Sequence, residues 1–279
     1  MVKKFKRKIV QILALLFSNG YFKGFVDGNI YKGELKHLCV PGLNCYSCPG
    51  ALGACPIGSL QSSLSDMNFK FPYYVLGFLI LIGVTLGRFV CGWLCPFGLI
   101  QELLYKIPSH KFKISRKLRS LKYLKYLILL IFVIILPMFF VNDLRVGSPY
   151  FCKYICPAGT LEGGIPLMLL DKSLRASIGF LFKWKLIILI ITIILSIILF
   201  RPFCRFICPL GAIYSFFNPI SIYKLNIDKN KCTSCKTCSR KCKLDIDVYK
   251  NPNSLECIRC GECIDVCPHK AIKITFKVK

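Results

Sequence analysis

The sequence predicts an all-α membrane bundle of about four transmembrane helices in two parallel repeats, followed by a small α+β unit at the carboxy terminus. Three observations predict it. Hydrophobic residues make up 54% of the 279 positions, too many for an ordinary soluble domain of that length. The apolar residues gather into long runs. Eighteen cysteines fall into repeated motifs, and the last eight form two copies of one spacing.

The runs at 71–87, 121–141 and 178–200 each approach the roughly 17–25 residues that a spanning helix needs. A weaker fourth run at 9–26 contains Asn19 and Lys23. Its basic start (Lys3, Lys4, Lys6, Arg7, Lys8) fits a signal peptide, but no small-residue cleavage site follows closely, so a retained helix is expected. A net charge of +26 invites a nucleic-acid reading, which its distribution excludes. With four spans and the amino terminus inside, segments 1–8, 88–125 and 201–279 carry 29 Lys and Arg, against 9 in segments 27–70 and 142–185. That asymmetry orients a membrane protein and contacts anionic lipid. The expected location is the cytoplasmic membrane, multi-pass, with both the amino terminus and the carboxy-terminal unit inside, where thiols stay reduced.

The terminal cysteines read Cys232, Cys235, Cys238, Cys242 and then Cys257, Cys260, Cys263, Cys267. In the two-cluster ferredoxin pattern the first three thiolates of each run hold one cubane and the fourth reaches the other. One 4Fe-4S cluster is thus assigned to Cys232, Cys235, Cys238 and Cys267, its partner to Cys257, Cys260, Cys263 and Cys242. Zinc ribbons would instead show two CxxC knuckles well apart. Lys243 stands where a proline usually follows the fourth cysteine. Alternating segments 220–228 and 271–278 predict the two short strands that bracket such a fold. The expected division is a transmembrane region over 1–218 and a ferredoxin-type unit over 219–279.

Of the other ten cysteines, four open Cys-Pro-x-Gly elements, Cys55, Cys95, Cys156 and Cys208. Three carry a second cysteine four residues earlier: Cys91, Cys152 and Cys204. The Cys95 and Cys208 elements follow spans ending inside, the Cys55 and Cys156 elements spans ending outside, hence the two parallel repeats. A Cys-x3-Cys pair covers half a cubane, and two pairs brought together complete it. Cys91, Cys95, Cys204 and Cys208 are therefore expected to hold an inner membrane cluster. On the outer side Cys48, Cys55, Cys152 and Cys156 are the first choice for a further cluster, with Cys45 as the other candidate fourth ligand. The remaining cysteines, Cys39 among them, would then form a disulfide or redox pair. The alternative groups Cys39, Cys45, Cys48 and Cys55 as one cluster and leaves Cys152 and Cys156 as a dithiol. The only histidines are His37, His110 and His269, none within a clear span, and no CxxCH occurs, so haem is not expected. No nucleotide-binding glycine loop is present.

The elements RFVCGWLCPFG and RPFCRFICPLGAIY, followed by two CxxCxxCxxxC runs, resemble the NapH-like family of polytopic membrane 4Fe-4S proteins over nearly all of 71–268. The membrane halves of the NosR and CcoG groups share the CxxxCP theme. The resemblance implies four membrane helices, a cytoplasmic ferredoxin domain and electron transfer from the quinol pool toward a partner oxidoreductase. The NosR and CcoG relatives imply another role, a reductase-type factor for the maturation of a partner metalloenzyme. The outer cysteine segments depart from the family core and point to exchange with an extracytoplasmic oxidoreductase.

The expected molecule is an electron-transfer subunit rather than a stand-alone enzyme. It would relay electrons between the quinol pool or an extracytoplasmic partner and cytoplasmic carriers. Lys229, Lys231, Lys236, Arg240, Lys241 and Lys243 surround the first cluster run and suit an acidic ferredoxin or flavodoxin. Protein purified without oxygen is expected to hold more than the roughly eight iron atoms of two cubanes. An iron assay returning about eight would exclude clusters in the membrane part.

Overall fold

A computed structural model describes residues 2–65, 71–112, 116–140, 147–171, 174–175 and 178–276. The described residues are mostly helical, with one two-stranded sheet near the carboxy terminus. Among the described residues two helices are long and apolar enough to cross a bilayer, Ser120–Phe139 and Phe180–Ile198, and only 22% and 17% of their apolar windows are buried in the protein. Faces so apolar and so uncovered suit a lipid surrounding.

The other two predicted spans come out differently. The 71–87 run forms a helix only over Tyr73–Leu86, about 21 Å long at 1.5 Å per residue, because Gly87 turns the chain with φ 54°. A Cβ there would meet Asn218 Oδ1 at 2.8 Å, so the turn needs glycine on both counts. The first helix runs over Val2–Ser18 rather than 9–26. Its buried face carries Arg7 and Gln11, and Gln11 donates to the Gly92 carbonyl at 2.9 Å. Residue 141 of the third run and residues 277–278 of the second predicted strand lie outside the described residues.

Each Cys-x3-Cys element folds into the same turn. A five-residue helix (Phe89–Trp93, Tyr150–Tyr154, Pro202–Phe206) carries the first cysteine, and the chain turns to the second. The N–H of Cys95, Cys156 or Cys208 then donates back five residues to the carbonyl of Val90, Phe151 or Phe203, at 3.1, 2.9 and 2.9 Å. Proline enforces what comes next. A residue before proline is pushed into extended conformation, and proline itself suits the first helical position. Cys55, Cys95 and Cys208 accordingly sit at ψ 127°, 116° and 114° and cap the helices Pro56–Leu64, Pro96–Leu104 and Pro209–Phe217. The variable residue of all four Cys-Pro-x-Gly elements is core: Ile57, Phe97, Ala158 and Leu210 are at most 2% exposed.

Strands β1 (Tyr223–Ile227) and β2 (Ile272–Phe276) pair antiparallel, Tyr223 opposite Phe276, and bracket the eight terminal cysteines. β1 starts later than its predicted segment because the chain before it is committed elsewhere: Ile222 N–H donates to Val84 O at 2.8 Å. This unit is tied to the helices through the loop 254–260. Asn218 Nδ2 donates to the carbonyls of Ser254 and Cys257 at 2.7 and 2.8 Å, and Trp93 Nε1 donates to Arg259 O at 3.0 Å. Arg259 reaches back to Leu86 O at 2.8 Å and Asn218 O at 2.7 Å. At Gly92 the backbones nearly touch, since a Cβ would lie 2.2 Å from Ile258 O. Gly92→Val is expected to destabilise this junction by about 1–3 kcal/mol. Faster amide exchange in 254–260, with exchange in Phe180–Ile198 unchanged, is the measurement that checks it.

Candidate metal centres

The thiols of Cys91, Cys95, Cys204 and Cys208 line one pocket, closed by Pro41, Gly42, Leu43, Val90, Leu210 and Gly211. All four cysteines are buried. The two halves interlock reciprocally. Arg201, three residues before Cys204, donates through Nη1 to the Cys91 carbonyl, and Arg88, three residues before Cys91, donates through Nη2 to the Cys204 carbonyl at 3.3 Å. Both are at most 2% exposed and leave a buried Nε–H without a partner. Buried cations need compensation. Arg201 pairs with Glu102 at 2.8 Å, Arg7 with Glu102 at 2.9 Å, and Arg88 with Glu256 at 2.7 Å. Gly98 leaves the space that the Arg201 guanidinium fills, since a Cβ there would meet it at 2.9 Å.

Gln101 completes the pocket wall. Its amide donates to Cys204 Sγ at 3.0 Å, while its oxygen accepts from Phe203 N–H at 3.2 Å. Gln61 does the same for the other element, donating to Cys152 Sγ at 3.3 Å and accepting from Phe151 N–H at 2.9 Å. The sequence reading missed both glutamines and the crossing arginines. The signal was there, since Cys55 and Cys95 each open C-P-x-G-x-x-Q.

A second space, of about 820 Å³, is lined by Cys45, Cys55, Cys152 and Cys156 together with Lys36, His37, Ser59, Ser62 and Lys185. Of the two cysteines expected as candidates for the fourth place beside Cys55, Cys152 and Cys156, Cys45 lines this space and Cys48 does not. Cys45 joins this chamber, held by its N–H donating to Glu162 Oε2 at 2.7 Å. Cys48 is buried outside it, its thiol 3.5 Å from Asn19 Oδ1, because the turn that closes with Cys48 N–H on Cys45 O sends it back toward the first helix. Cys39 also stands apart, 3.9 Å from Ser59 Oγ. All eighteen cysteines are free thiols, so Cys39 and Cys48 form no disulfide. Leu43 lines both the pocket and the chamber. The two spaces therefore adjoin at Leu43.

In the terminal unit Cys232, Cys235, Cys238 and Cys267 line one pocket, beside His269. Cys242 lies near Cys257 and Cys263, and Cys263 near Cys260 and Cys238, which gathers the second expected set beside the first. Left-handed residues recur at matching places in both runs. Ser234 and Arg259, Lys236 and Gly261, and Asp245 and Lys270 all have positive φ. Such turns direct successive N–H groups inward into an anion-binding concavity of the kind found at iron-sulfur sites. The exposed Cys235 thiol is held below its ordinary range by hydrogen bonds from the Thr237 hydroxyl and N–H. Lacking a following proline, Cys242 is nonetheless extended, ψ 115°, and Lys243 ties the runs together through Glu262 at 2.7 Å.

This donor set fits 4Fe-4S clusters: four thiols per site, inward N–H groups, and buried guanidinium groups with spare donors for an anionic body. Among the described residues no three His, Cys, Asp or Glu side chains gather as around a single metal ion.

Burial raises the Glu102 carboxyl, but Arg201, Arg7 and Lys8 outweigh it and hold it below the usual carboxylate range. Its ionic contribution is therefore complete above the unfolded pKa and is lost as pH falls through the lower folded one. Glu102→Gln is expected to destabilise the protein by about 3–5 kcal/mol at neutral pH. In thermal unfolding that deficit should shrink once the pH drops below the ordinary carboxylate range.

Comparison with known proteins agrees with this chemistry. A 4Fe-4S binding domain family matches residues 71–115, 124–166 and 184–227, and another 4Fe-4S binding domain family matches 252–273. Uncharacterized protein MJ0750 of Methanocaldococcus jannaschii is 30% identical over 72% of this chain and 77% of its own length. Ferredoxin-type protein NapH of Haemophilus influenzae is 24% identical over 98% of this chain and 89% of its own. Putative electron transport protein YccM of Escherichia coli is 23% identical over 72% of this chain and 54% of its own. No solved structure matches.

Proposed function

Because the chain belongs to the NapH-like family of membrane 4Fe-4S electron-transfer proteins, we propose that it is a relay passing single electrons between a membrane donor and a soluble carrier. The donor is a quinol or an extracytoplasmic oxidoreductase, and the carrier is an acidic cytoplasmic ferredoxin or flavodoxin. In this reading four crossings in two parallel repeats make up residues 1–218, and residues 219–279 form the ferredoxin-type unit on the cytoplasmic side. The charge asymmetry between loops supports that orientation.

One observation carries the proposal: the wall of the Cys91/Cys95/Cys204/Cys208 pocket is also the docking surface for the loop of Cys257 and Cys260. Arg88 touches Cys204 O, Leu255 O and Glu256, and Trp93 and Gly92 meet Arg259 and Ile258. Three thiol sets then stand in series, from the Cys91/Cys95/Cys204/Cys208 pocket through the two terminal sets to the exposed Cys235. A cubane held in each set supplies one-electron exchange. The chain's own part is to hold each set, keep water from the buried ones and aim donors at their sulfurs. Lys229, Lys231, Lys236, Arg240 and Lys241 are exposed beside the last set, a surface for an acidic carrier.

In sealed vesicles the protein is expected to pass electrons continuously from a quinol to a soluble flavodoxin, and Cys95→Ala to abolish the flow. A single stoichiometric transfer followed by arrest would sink the relay and favour the maturation factor. Gln101→Leu removes an N–H donor from a sulfur, a contact that favours the more negative reduced form. An EPR-monitored titration should therefore find one potential lower by on the order of tens of millivolts, with the others unmoved.

A further inference from the structure

The relay as described ends at the Cys91/Cys95/Cys204/Cys208 pocket and makes no use of the chamber on the far side of Leu43. We propose that Cys45, Cys55, Cys152 and Cys156 hold a fourth 4Fe-4S cluster, with Cys45 rather than Cys48 as the ligand from the loop. This rests on the iron-sulfur chemistry of the chain and not on the direction or order of the relay.

The chamber repeats the pocket feature by feature. Cys152 and Cys156 sit in the same turn as the two pocket elements, with Cys156 N–H returning to Phe151 O at 2.9 Å as Cys208 N–H returns to Phe203 O. Gln61 grips Cys152 with both ends of its amide, as Gln101 grips Cys204. A buried glutamine at each place donates to a sulfur, a contact that tunes and orients a metal-bound thiolate. In the pocket the carbonyl of the first cysteine receives an arginine from the other half. In the chamber Lys185 Nζ donates to the Cys152 carbonyl at 3.2 Å, again placing a cation where an anionic cluster needs one. Lys36, buried and hydrogen-bonded to Ala51 O at 2.7 Å, adds a second positive charge to the lining.

Small residues keep the thiols facing a common space. A Cβ on Gly159 would stand 3.6 Å from Cys45 Sγ and 3.5 Å from Lys185 Nζ, and one on Gly58 would stand 3.9 Å from Cys152 Sγ. Glu162 occupies the place in its Cys-Pro-x-Gly-x-x element that Gln61 and Gln101 hold in theirs, and it fixes the backbone of Cys45. The fourth thiol thus comes from a loop that the element itself positions. The chamber differs from the pocket in its serine-lined remainder, Ser59, Ser62, Ser63 and Ser65, which leaves one side of the bound cluster accessible to a donor.

The test is iron and acid-labile sulfide per chain, with EPR of the reduced protein, on the full chain purified without oxygen. The native protein is expected to carry about 16 irons, four per cubane. Cys152→Ala and Cys45→Ser should each lose about a quarter of the iron together with one EPR component, and Cys48→Ala should lose none. Cys95→Ala should lose a different component and leave the chamber's in place, so failure of the pocket is told apart from failure of the chamber. A native count near 12 from which Cys95→Ala still removes its component, iron unchanged in Cys45→Ser, or zinc in place of the missing iron would each overturn the proposal. A native count near 8 overturns it with no variant at all, so the test survives a variant that does not fold.

Discussion

The reciprocal crossing of Arg88 and Arg201 is the contact on which the rest of the membrane part depends. Each guanidinium leaves its own Cys-x3-Cys element and lands on the carbonyl of the first cysteine in the other. Neither half can form its pocket wall alone. A charge buried among apolar helices persists only when paired, so each crossing recruits an acid. Glu102 brings in Arg7 and with it the first helix, and Glu256 brings in Lys125 from the Ser120–Phe139 helix and the terminal unit itself. One electrostatic requirement thereby locks together elements from both ends of the chain.

The same arrangement explains why the terminal unit docks where it does. Its loop 254–260 supplies the acid for Arg88 and a carbonyl for Trp93, while Gly92 removes the side chain that would hold the two backbones apart. The cost of burying Arg88 is thus offset by a contact that also sets two thiol sets side by side. The loop carrying Cys39, Cys45 and Cys48 folds inward by similar logic. Tyr214 donates to Pro41 O at 3.0 Å and Glu162 accepts from Cys45 N–H. These two residues hold, in the second half, the places that Gln101 and Gln61 hold in the first. Four equivalent positions, two chemistries: the glutamines grip sulfurs across the halves, and the other pair draws the loop between two thiol sets.

Much of this was legible in the residues. Cysteine spacing announced the thiol sets of the terminal unit, since ligands within one run are neighbours in sequence and chain geometry does the rest. Cys-Pro announced helix starts, because proline constrains the residue before it whatever surrounds the pair. Apolar runs announced two bilayer-length helices at 120–139 and 180–198, though run length overstated Tyr73–Leu86, where a glycine required by a neighbouring asparagine ends the helix early. The loop between Cys39 and Cys55 was not legible, for it has no periodicity and its path is dictated by distant partners, Asn19 on one side and Glu162 and Tyr214 on the other.

Local chemistry alone, then, determined the cysteine elements, their turns and the family of cofactor they suit, because those depend on spacing and on proline and glycine stereochemistry. Only the tertiary structure decided that Cys45 faces the chamber while Cys48 turns toward Asn19, and that the two membrane thiol sets share Leu43 as a wall. Those outcomes follow from buried charges and hydrogen bonds that must find partners across the chain, and no short window of residues contains both members of such a pair.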